Sequence, residues 1–431
     1  MCFLDELESL RIPFGDIKEA TKNFTTIIGK GGYGLVYKGE LLLNGKLTSV
    51  AIKRLDGNNI SGQGFKEFLT EIQLLTRYKH PNLIALIGFC DQDNEKILIY
   101  EHAEHGSLDK YLTTAENRSK LTWKQRINIC VNAARGLNFL HSEVARNERV
   151  IHRDIKCANI LLDRNWKAMV SDLGLSKLGR ANEKDTYLIT NASGTHGYCD
   201  PVYISSGILT KESDVYSFGV VLFEVLCGRL CFINVNNEHR FLPPLAQRYC
   251  KLGKIDEIMD PVLKNQIDSD SLNKFSKIAF QCLQNNRKRR PSMSMVVKKL
   301  EELERALEFQ PHKDTNQLSG GEPPNEPTKC ECSLKDMQNN YIISSMVKSV
   351  HDIHTSDSMQ PESLYKADNV EPDQHKSEHM LISEIAKFTD NGCLEDFVLL
   401  ADYVFSPYCN VIPQFSVCNK LEVSLCNKLE V

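Results

Sequence analysis

His152-Arg153-Asp154-Ile155-Lys156-Cys157-Ala158-Asn159 is the stretch on which the reading of this chain turns. It has the form H-R-D-x-K-x-x-N, the spacing of a catalytic loop for phosphoryl transfer to a hydroxyl group. Asp154 would accept or orient the proton of the attacking hydroxyl. Lys156 would neutralise charge on the moving phosphoryl group. Asn159 would ligate magnesium, a cation that takes oxygen donors. An Asp and an Asn five positions apart are commonplace alone, so the weight rests on three further elements.

Working outward, Ser171-Asp172-Leu173-Gly174 follows the strand pattern Ala168-Met169-Val170, and Asp172 lies 18 residues after Asp154. A carboxylate there is a natural second magnesium ligand beside substrate phosphates. Upstream, Val50-Ala51-Ile52-Lys53 is a strand ending in a lysine placed to grip phosphates. Glu71, between the apolar Phe68 and Ile72 of a helical pattern, faces the lobe interior or its rim and would hold that ammonium. Gly29-Lys30-Gly31-Gly32-Tyr33-Gly34-Leu35-Val36 reads G-x-G-x-x-G-x-V. Glycines let backbone approach phosphates closely. A dinucleotide-binding reading would need a helix after the third glycine. A strand pattern follows Gly34, which points to a phosphate-covering hairpin.

The joint pattern resembles the protein kinase signature set. More narrowly it is similar to plant receptor-like kinases and their receptor-like cytoplasmic branch. Ala20-Thr21-Lys22-Asn23-Phe24, Ile87-Gly88-Phe89-Cys90, His105-Gly106-Ser107-Leu108, Gly194-Thr195-His196-Gly197-Tyr198 and Ser213-Asp214-Val215-Tyr216-Ser217-Phe218-Gly219 carry that narrower likeness, over roughly residues 12–309. The resemblance implies an ATP- and magnesium-dependent Ser/Thr protein kinase in intracellular signalling. Its alternative is a pseudokinase scaffold that binds partners without transferring phosphate. By the same resemblance Lys53 anchors the nucleotide and Glu71 is its ion-pair partner. Asp154 and Lys156 serve the transfer, and Asn159 and Asp172 hold the metal. Ile28 through Val36 cover the nucleotide, and Ala51, Val36 and Leu161 sandwich its purine. Tyr100 is a bulky gatekeeper, and Glu101 to Ala103 form the hinge that bonds adenine. Thr195 hydrogen-bonds near Asp154 and Lys156. Arg153 pairs with a phosphorylated activation segment, for which Ser176, Thr186, Thr190, Ser193 and Thr195 are candidates and Thr190 is favoured.

Two departures stand out. Leu173 replaces the usual Phe, an apolar exchange with little expected effect. Val202 in Asp200-Pro201-Val202-Tyr203 replaces a Glu that normally pairs with a buried arginine, here Arg290. Arg290 is therefore expected to be an uncompensated buried charge unless solvent or another carboxylate takes the place of that Glu, and Val202→Glu is expected to raise thermal stability.

Periodicity predicts the architecture. Residues 12–24 read as a short entering helix. Strands at Ile27-Ile28, Leu35-Val36-Tyr37, Ser49-Val50-Ala51-Ile52 and Ile97-Leu98-Ile99-Tyr100 are broken by one helix through Phe65, Phe68, Leu69, Ile72 and Leu75. Ser107 is expected to cap a short helix through Tyr111. Helices follow from Trp123 to His141 and near 213–228, 271–285 and 293–309. The predicted fold is α+β and bilobal: a leader over 1–24, a small β-rich lobe over 25–101 and a helical lobe over 102–309.

The chain has 431 residues, 42% hydrophobic and 25% charged, with a net charge of −4. From Gln310 on, nine lysines and no arginine face nineteen carboxylates, so the body before it is mildly basic. That balance suits phosphate ligands and excludes nucleic-acid binding as the main role. Fifteen dispersed cysteines suggest reduced thiols and a cytoplasmic protein. Asp5, Glu6 and Glu8 argue against a signal peptide. The run Val215 to Phe232 contains Glu224 and Arg229, so it reads as a core helix and no transmembrane segment is expected. Partners expected are protein substrates and an upstream membrane receptor kinase at the inner face of the plasma membrane. The acidic tail 310–431 reads as largely disordered, with an apolar segment at 393–415, and as a protein-binding region. Cys330-Glu331-Cys332 and His351-Asp352-Ile353-His354 lack a second ligand pair, so no zinc site is expected.

Overall fold

The computed structural model describes residues 7–308 except 33, 57–61, 93, 143–147, 181–186 and 236–237. The expectations for Tyr33, Thr186 and the tail 310–431 lie outside the described residues.

The small lobe is a five-stranded antiparallel sheet in the order β1-β2-β3-β5-β4. Its strands are β1 (Ile27–Gly31), β2 (Gly34–Leu43), β3 (Lys46–Leu55), β4 (Leu86–Cys90) and β5 (Ile97–Glu101). Asn44 and Gly45, with φ of 52° and 77°, make the two-residue turn that fixes the β2–β3 register. Period-two alternation then decides what each face presents. Val50 and Ile52 pack with Tyr37, Leu41, Ile97 and Ile99 beneath α1 (Phe14–Ala20), whose Ile17 is fully buried. Ala51 and Lys53 point the other way, toward the cleft. Their sheet neighbours on that face are Tyr100 and Leu98. A side chain at Gly39 would stand 2.6 Å from Ile52 Cδ1 and 3.3 Å from the Ala20 carbonyl, so α1 lies close on the sheet. Ile12 and Leu10 exchange backbone hydrogen bonds with Phe89, at 2.9 Å each, and extend the sheet edge.

The opposite face carries α2 (Gln63–Arg77), which buries Phe68, Ile72 and Leu75 and turns Glu71 inward. The helical lobe is built on α4 (Trp123–His141), capped by the Thr122/Gln125 box, with the short α3 (Ala115–Ser119) before it. After α5 (Pro201–Ser206) comes α6 (Lys211–Cys227), buried on all sides from Ser213 onward. That explains the apolar run, and no helix among the described residues is long and apolar enough to cross a membrane. Then follow α7 (Leu242–Leu252), α8 (Ser269–Cys282) and α9 (Met293–Glu308). The last packs on α4, with Asn128 donating to Glu304 at 2.8 Å.

One capping expectation is corrected. Ser107 does precede a turn, Leu108–Leu112, but that turn is a 3₁₀ helix and the Ser107 side chain makes no capping bond. Its backbone instead pairs in β6 (Gly106–Ser107) with Leu161 of β8 (Ile160–Leu162).

Candidate active site

The loop of the opening motif hangs between β7 (Glu148–Ile151) and a 3₁₀ turn, Cys157–Asn159. Its shape is strained. Arg153 has φ of +72° and Asp172 has +65°, in the left-handed region that non-glycine residues avoid. Asp214 on α6 holds the first of these. Its two oxygens accept the amides of His152 at 2.7 Å and Arg153 at 2.8 Å, while His141 Nε2 lies 2.8 Å away.

Asp154 is thereby presented with both oxygens engaged. Oδ1 accepts from the Thr195 amide at 2.9 Å and hydroxyl at 2.7 Å. Oδ2 accepts from Lys156 Nζ at 2.6 Å and Asn159 Nδ2 at 3.1 Å. Thr195 also receives Lys156 at 2.7 Å, as expected. Asn159 is tied to β9 (Ala168–Val170) through the Ser171 amide, which donates to its carbonyl at 2.9 Å. That bond brings Asn159 beside the strand end that carries Asp172.

Across the cleft, Lys53 Nζ donates to Glu71 at 2.7 Å and to Asp172 at 2.9 Å. Burial works against the Lys53 charge, yet Asp172 and Glu71 together hold its ammonium well above the ordinary value. Lys53 in turn pulls Asp172 below the usual carboxylate range, helped by Lys156 and His152. Those two contributors come from the catalytic loop, so both halves of the site share one cleft. Burial pushes Glu71 up, against the pull of Lys53.

Sequence reading missed one contact here. The Tyr100 hydroxyl, buried, donates to the second oxygen of Glu71 in a short contact. Tyr100 therefore helps fix the carboxylate that fixes Lys53. The signal lay only in the register, because Ala51 opposite Tyr100 places the ring two residues from Lys53 on the same face.

The covering hairpin forms as expected, with Gly31 opposite Gly34. A side chain at Gly34 would stand 2.0 Å from the Arg54 carbonyl, so glycine is required there. Val36, Ala51 and Leu161 are half-buried, and Glu101 accepts the Ala85 amide at 2.8 Å. The Ala103 carbonyl receives the Gly106 amide at 3.0 Å, which turns the chain out of the hinge.

Arg153 sends its guanidinium to the carbonyls of Leu175 at 3.0 Å and Asn191 at 3.1 Å and to the Tyr203 hydroxyl at 2.9 Å. Thr190, half-buried, is the residue before Asn191. Burial lowers Lys177, and the charges of Arg153 and Lys66 lower it further, so three basic groups converge on this segment.

For Arg290 the structure takes the alternative in which another carboxylate replaces the missing Glu. Its guanidinium is fully buried and is not left unpaired. Asp200 accepts from it at 2.8 Å, and the carbonyls of Gln284 and Glu212 accept at 2.7 and 2.8 Å. Asp200 also takes Arg287 at 3.0 Å. The carboxylate two residues before Val202 thus serves where the missing Glu would.

The donor set fits a nucleoside triphosphate with a divalent cation. Asn159 and Asp172 offer hard oxygen donors, and Lys53 and Lys156 offer cations for phosphate oxygens. Among the described residues no cluster of three metal-binding side chains occurs, so most of a cation's remaining ligands would come from phosphate and water.

Comparison with known proteins agrees with this geometry. The protein kinase domain family matches residues 23–300. The receptor-like protein kinase HERK 1 of Arabidopsis thaliana is 45% identical over 334 residues, 77% of this chain and 38% of that protein. The receptor-like protein kinase FERONIA of the same plant is 44% identical over 306 residues, 70% of this chain and 33% of that protein. ANXUR2, also a receptor-like protein kinase of that plant, is 44% identical over 294 residues, 68% of this chain and 33% of that protein. The chain therefore spans about a third to two-fifths of the length of these relatives. It belongs to the protein kinase family, on its plant receptor-like kinase branch.

Proposed function

We propose that this chain transfers the γ-phosphoryl group of ATP to Ser and Thr hydroxyls of proteins, with magnesium as its divalent metal. The observation that carries the reading is Lys53, bonded at once to Glu71 and Asp172, in a cleft whose far wall is Asp154. Lys53 grips the α- and β-phosphates, and Glu71 with Tyr100 keeps it from folding back. Asp154 takes the proton of the incoming hydroxyl, which replaces Thr195 on Oδ1. Lys156 stays with the transferred group and offsets its charge. Asn159 and Asp172 would hold magnesium, which would supply charge neutralisation at the phosphates. Ile28 to Val36 cover the phosphates, while Ala51, Leu161 and the hinge 101–103 receive the base.

A silent scaffold was favoured only by Val202, and the Asp200–Arg290 pair removes that support. Fifteen cysteines and the mildly basic body are consistent with a cytoplasmic enzyme that meets a membrane receptor kinase. The tail 310–431 is our candidate for binding a protein partner.

Activation is proposed to run through phosphorylation of Thr190. A phosphate there would exchange the neutral acceptors now on Arg153 for a charged one. Such a bond contributes about 1.5–3 kcal/mol against about 1 for a neutral one. Mass spectrometry of the active protein is expected to find phosphoserine or phosphothreonine, with one modified residue between 186 and 193. Phosphotyrosine alone would contradict the Ser/Thr assignment. An unmodified 186–193 segment in active protein would contradict the activation step.

A further inference from the structure

The chain enters the small lobe through a turn that no step of the mechanism above uses. Lys22, Asn23 and Phe24 follow one another with φ of 50°, 59° and 60°. Left-handed backbone costs energy in any residue with a Cβ and normally occurs at single positions. Three in succession need something to hold them. Part of the hold is local. Thr21, buried at the end of α1, donates from its hydroxyl to the Ile17 carbonyl at 2.7 Å and accepts the Phe24 amide at 3.1 Å. The Asn23 amide reaches the Lys18 carbonyl at 2.7 Å. The leader before the turn has a prepared seat. Its Leu7 is fully buried, and a side chain at Gly88 would stand 2.6 Å from both the Leu10 carbonyl and Ile12 Cδ1.

The rest of the hold comes from the Phe24 ring. It stacks on Phe14 with 6.2 Å between centroids and stands edge-on to Tyr37 at 5.1 Å. The Arg54 guanidinium lies over it, with Cζ 4.4 Å from the ring centroid. Both oxygens of Glu95 hold Arg54 from the other side, Oε2 at 2.7 Å from Nε and Oε1 in a short contact. Glu95 lies between β4 and β5, as does Gln92, whose side-chain oxygen accepts the Phe14 amide at 3.0 Å. The contacts close a circle from Phe14 through Phe24, Arg54 and Glu95 back to Phe14. Arg54 also ties this circle to the cleft. It follows Lys53 on β3 and stands opposite Leu35 of the covering hairpin. Its carbonyl is the atom that a side chain at Gly34 would strike. Residues 53 and 54 point to opposite faces of the sheet, so a hold on Arg54 from outside fixes the strand from which Lys53 reaches inward.

We propose that Phe24 is a positioning residue for the nucleotide grip: seated by the leader over the Arg54 guanidinium, it fixes the end of β3 that sets Lys53 and the glycine hairpin, and this rests on the reading of the cleft as a nucleotide site. A cation over an aromatic face is held by the ring's charge distribution, which an aliphatic side chain of similar size does not offer. Without the ring, Arg54 keeps Glu95 but loses its link to the leader, and the left-handed turn loses its outer support. The effect falls on nucleotide affinity, because the circle touches the strand behind Lys53 and the hairpin over the phosphates, and none of its members bonds to Asp154.

The test is a double-mutant cycle in the full chain, read as the Kd of trinitrophenyl-ATP with magnesium. Phe24→Leu keeps the burial and removes the ring, and Arg54→Met removes the cation. Each is expected to raise the Kd about three- to fivefold. The double variant should lose little more than either alone, because each change already breaks the shared contact. Phe24→Tyr, which keeps a ring under the guanidinium, should stay within about twofold of wild type. A purely structural Phe24 would lower the melting temperature of Phe24→Leu and leave its Kd at the wild-type value, and that result overturns the inference. Losses that multiply in the double variant overturn it as well. Should Phe24→Leu not fold, Arg54→Met reads the same link from the sheet side, and a wild-type Kd there overturns the inference. A wild type that binds no nucleotide overturns the reading of the cleft itself, and this inference with it.

Discussion

Asp154→Asn is expected to lower phosphoryl transfer by about 10²–10⁴ while nucleotide binding stays within about threefold. The argument is geometric. Four donors converge on the Asp154 carboxylate: the Thr195 amide and hydroxyl, Lys156 and Asn159. An amide in its place turns an NH₂ toward at least one of them and cannot accept a proton. Lys53 and Asp172, the residues proposed to hold phosphate and metal, bond to each other, and Lys53 bonds also to Glu71 and not to Asp154. Single-turnover transfer, measured beside the melting shift that ATP induces, separates the two effects. A variant that retained a tenth of wild-type transfer would remove Asp154 from the mechanism.

Asp200→Asn is expected to destabilise the fold by about 3–5 kcal/mol, because it strips the charge from one partner of a buried pair and leaves Arg290 uncompensated. For a chain of this size that is a fall in melting temperature on the order of 10 °C. Asp200 gathers Arg290, Arg287, the Ser213 hydroxyl and the Val202 amide on two oxygens. Burial would raise its pKa, but the bond and charge of Arg290 outweigh burial and hold it below the ordinary carboxylate value. A depressed carboxylate contributes stability above its unfolded pKa and loses it as pH falls through the folded one. Wild type should therefore lose stability below about pH 4 more steeply than Asp200→Asn. Val202→Glu, by contrast, should change stability by no more than about 0.5 kcal/mol, since the carboxylate it would supply is already present. A large gain from Val202→Glu, or a small loss from Asp200→Asn, would show that Asp200 does not carry the arginine.

These two sites mark where sequence was enough and where it was not. That Asp154, Lys156 and Asn159 meet, and that Lys53 joins Glu71 and Asp172, was legible because the motifs tie residue type to spacing. The long helix from Trp123 and the alternating strands were legible because burial imposes its period on the chain. The carboxylate that rescues Arg290 could not be named because it sits 90 residues away. Only the start of α6, where Ser213 donates to Asp200 and the Glu212 carbonyl accepts from Arg290, brings the two together, and no spacing rule encodes that. The Tyr100 hydroxyl on Glu71 was hidden for the same reason. Ser107 looked like a cap because caps are recognised locally, whereas its backbone was claimed by β8. Leu242–Leu252 went unnoticed as a helix because two prolines open it, and both sit in the first turn, where a missing amide costs nothing.

The most direct test of the account is autophosphorylation of the purified chain with ATP and magnesium, run beside Lys53→Ala and Asp172→Asn. The geometry joins these two residues, the proposed phosphate and metal grip, at 2.9 Å. Incorporation should be strong in wild type and lower by about 10²–10³ in each variant. Equal incorporation in all three proteins would contradict it.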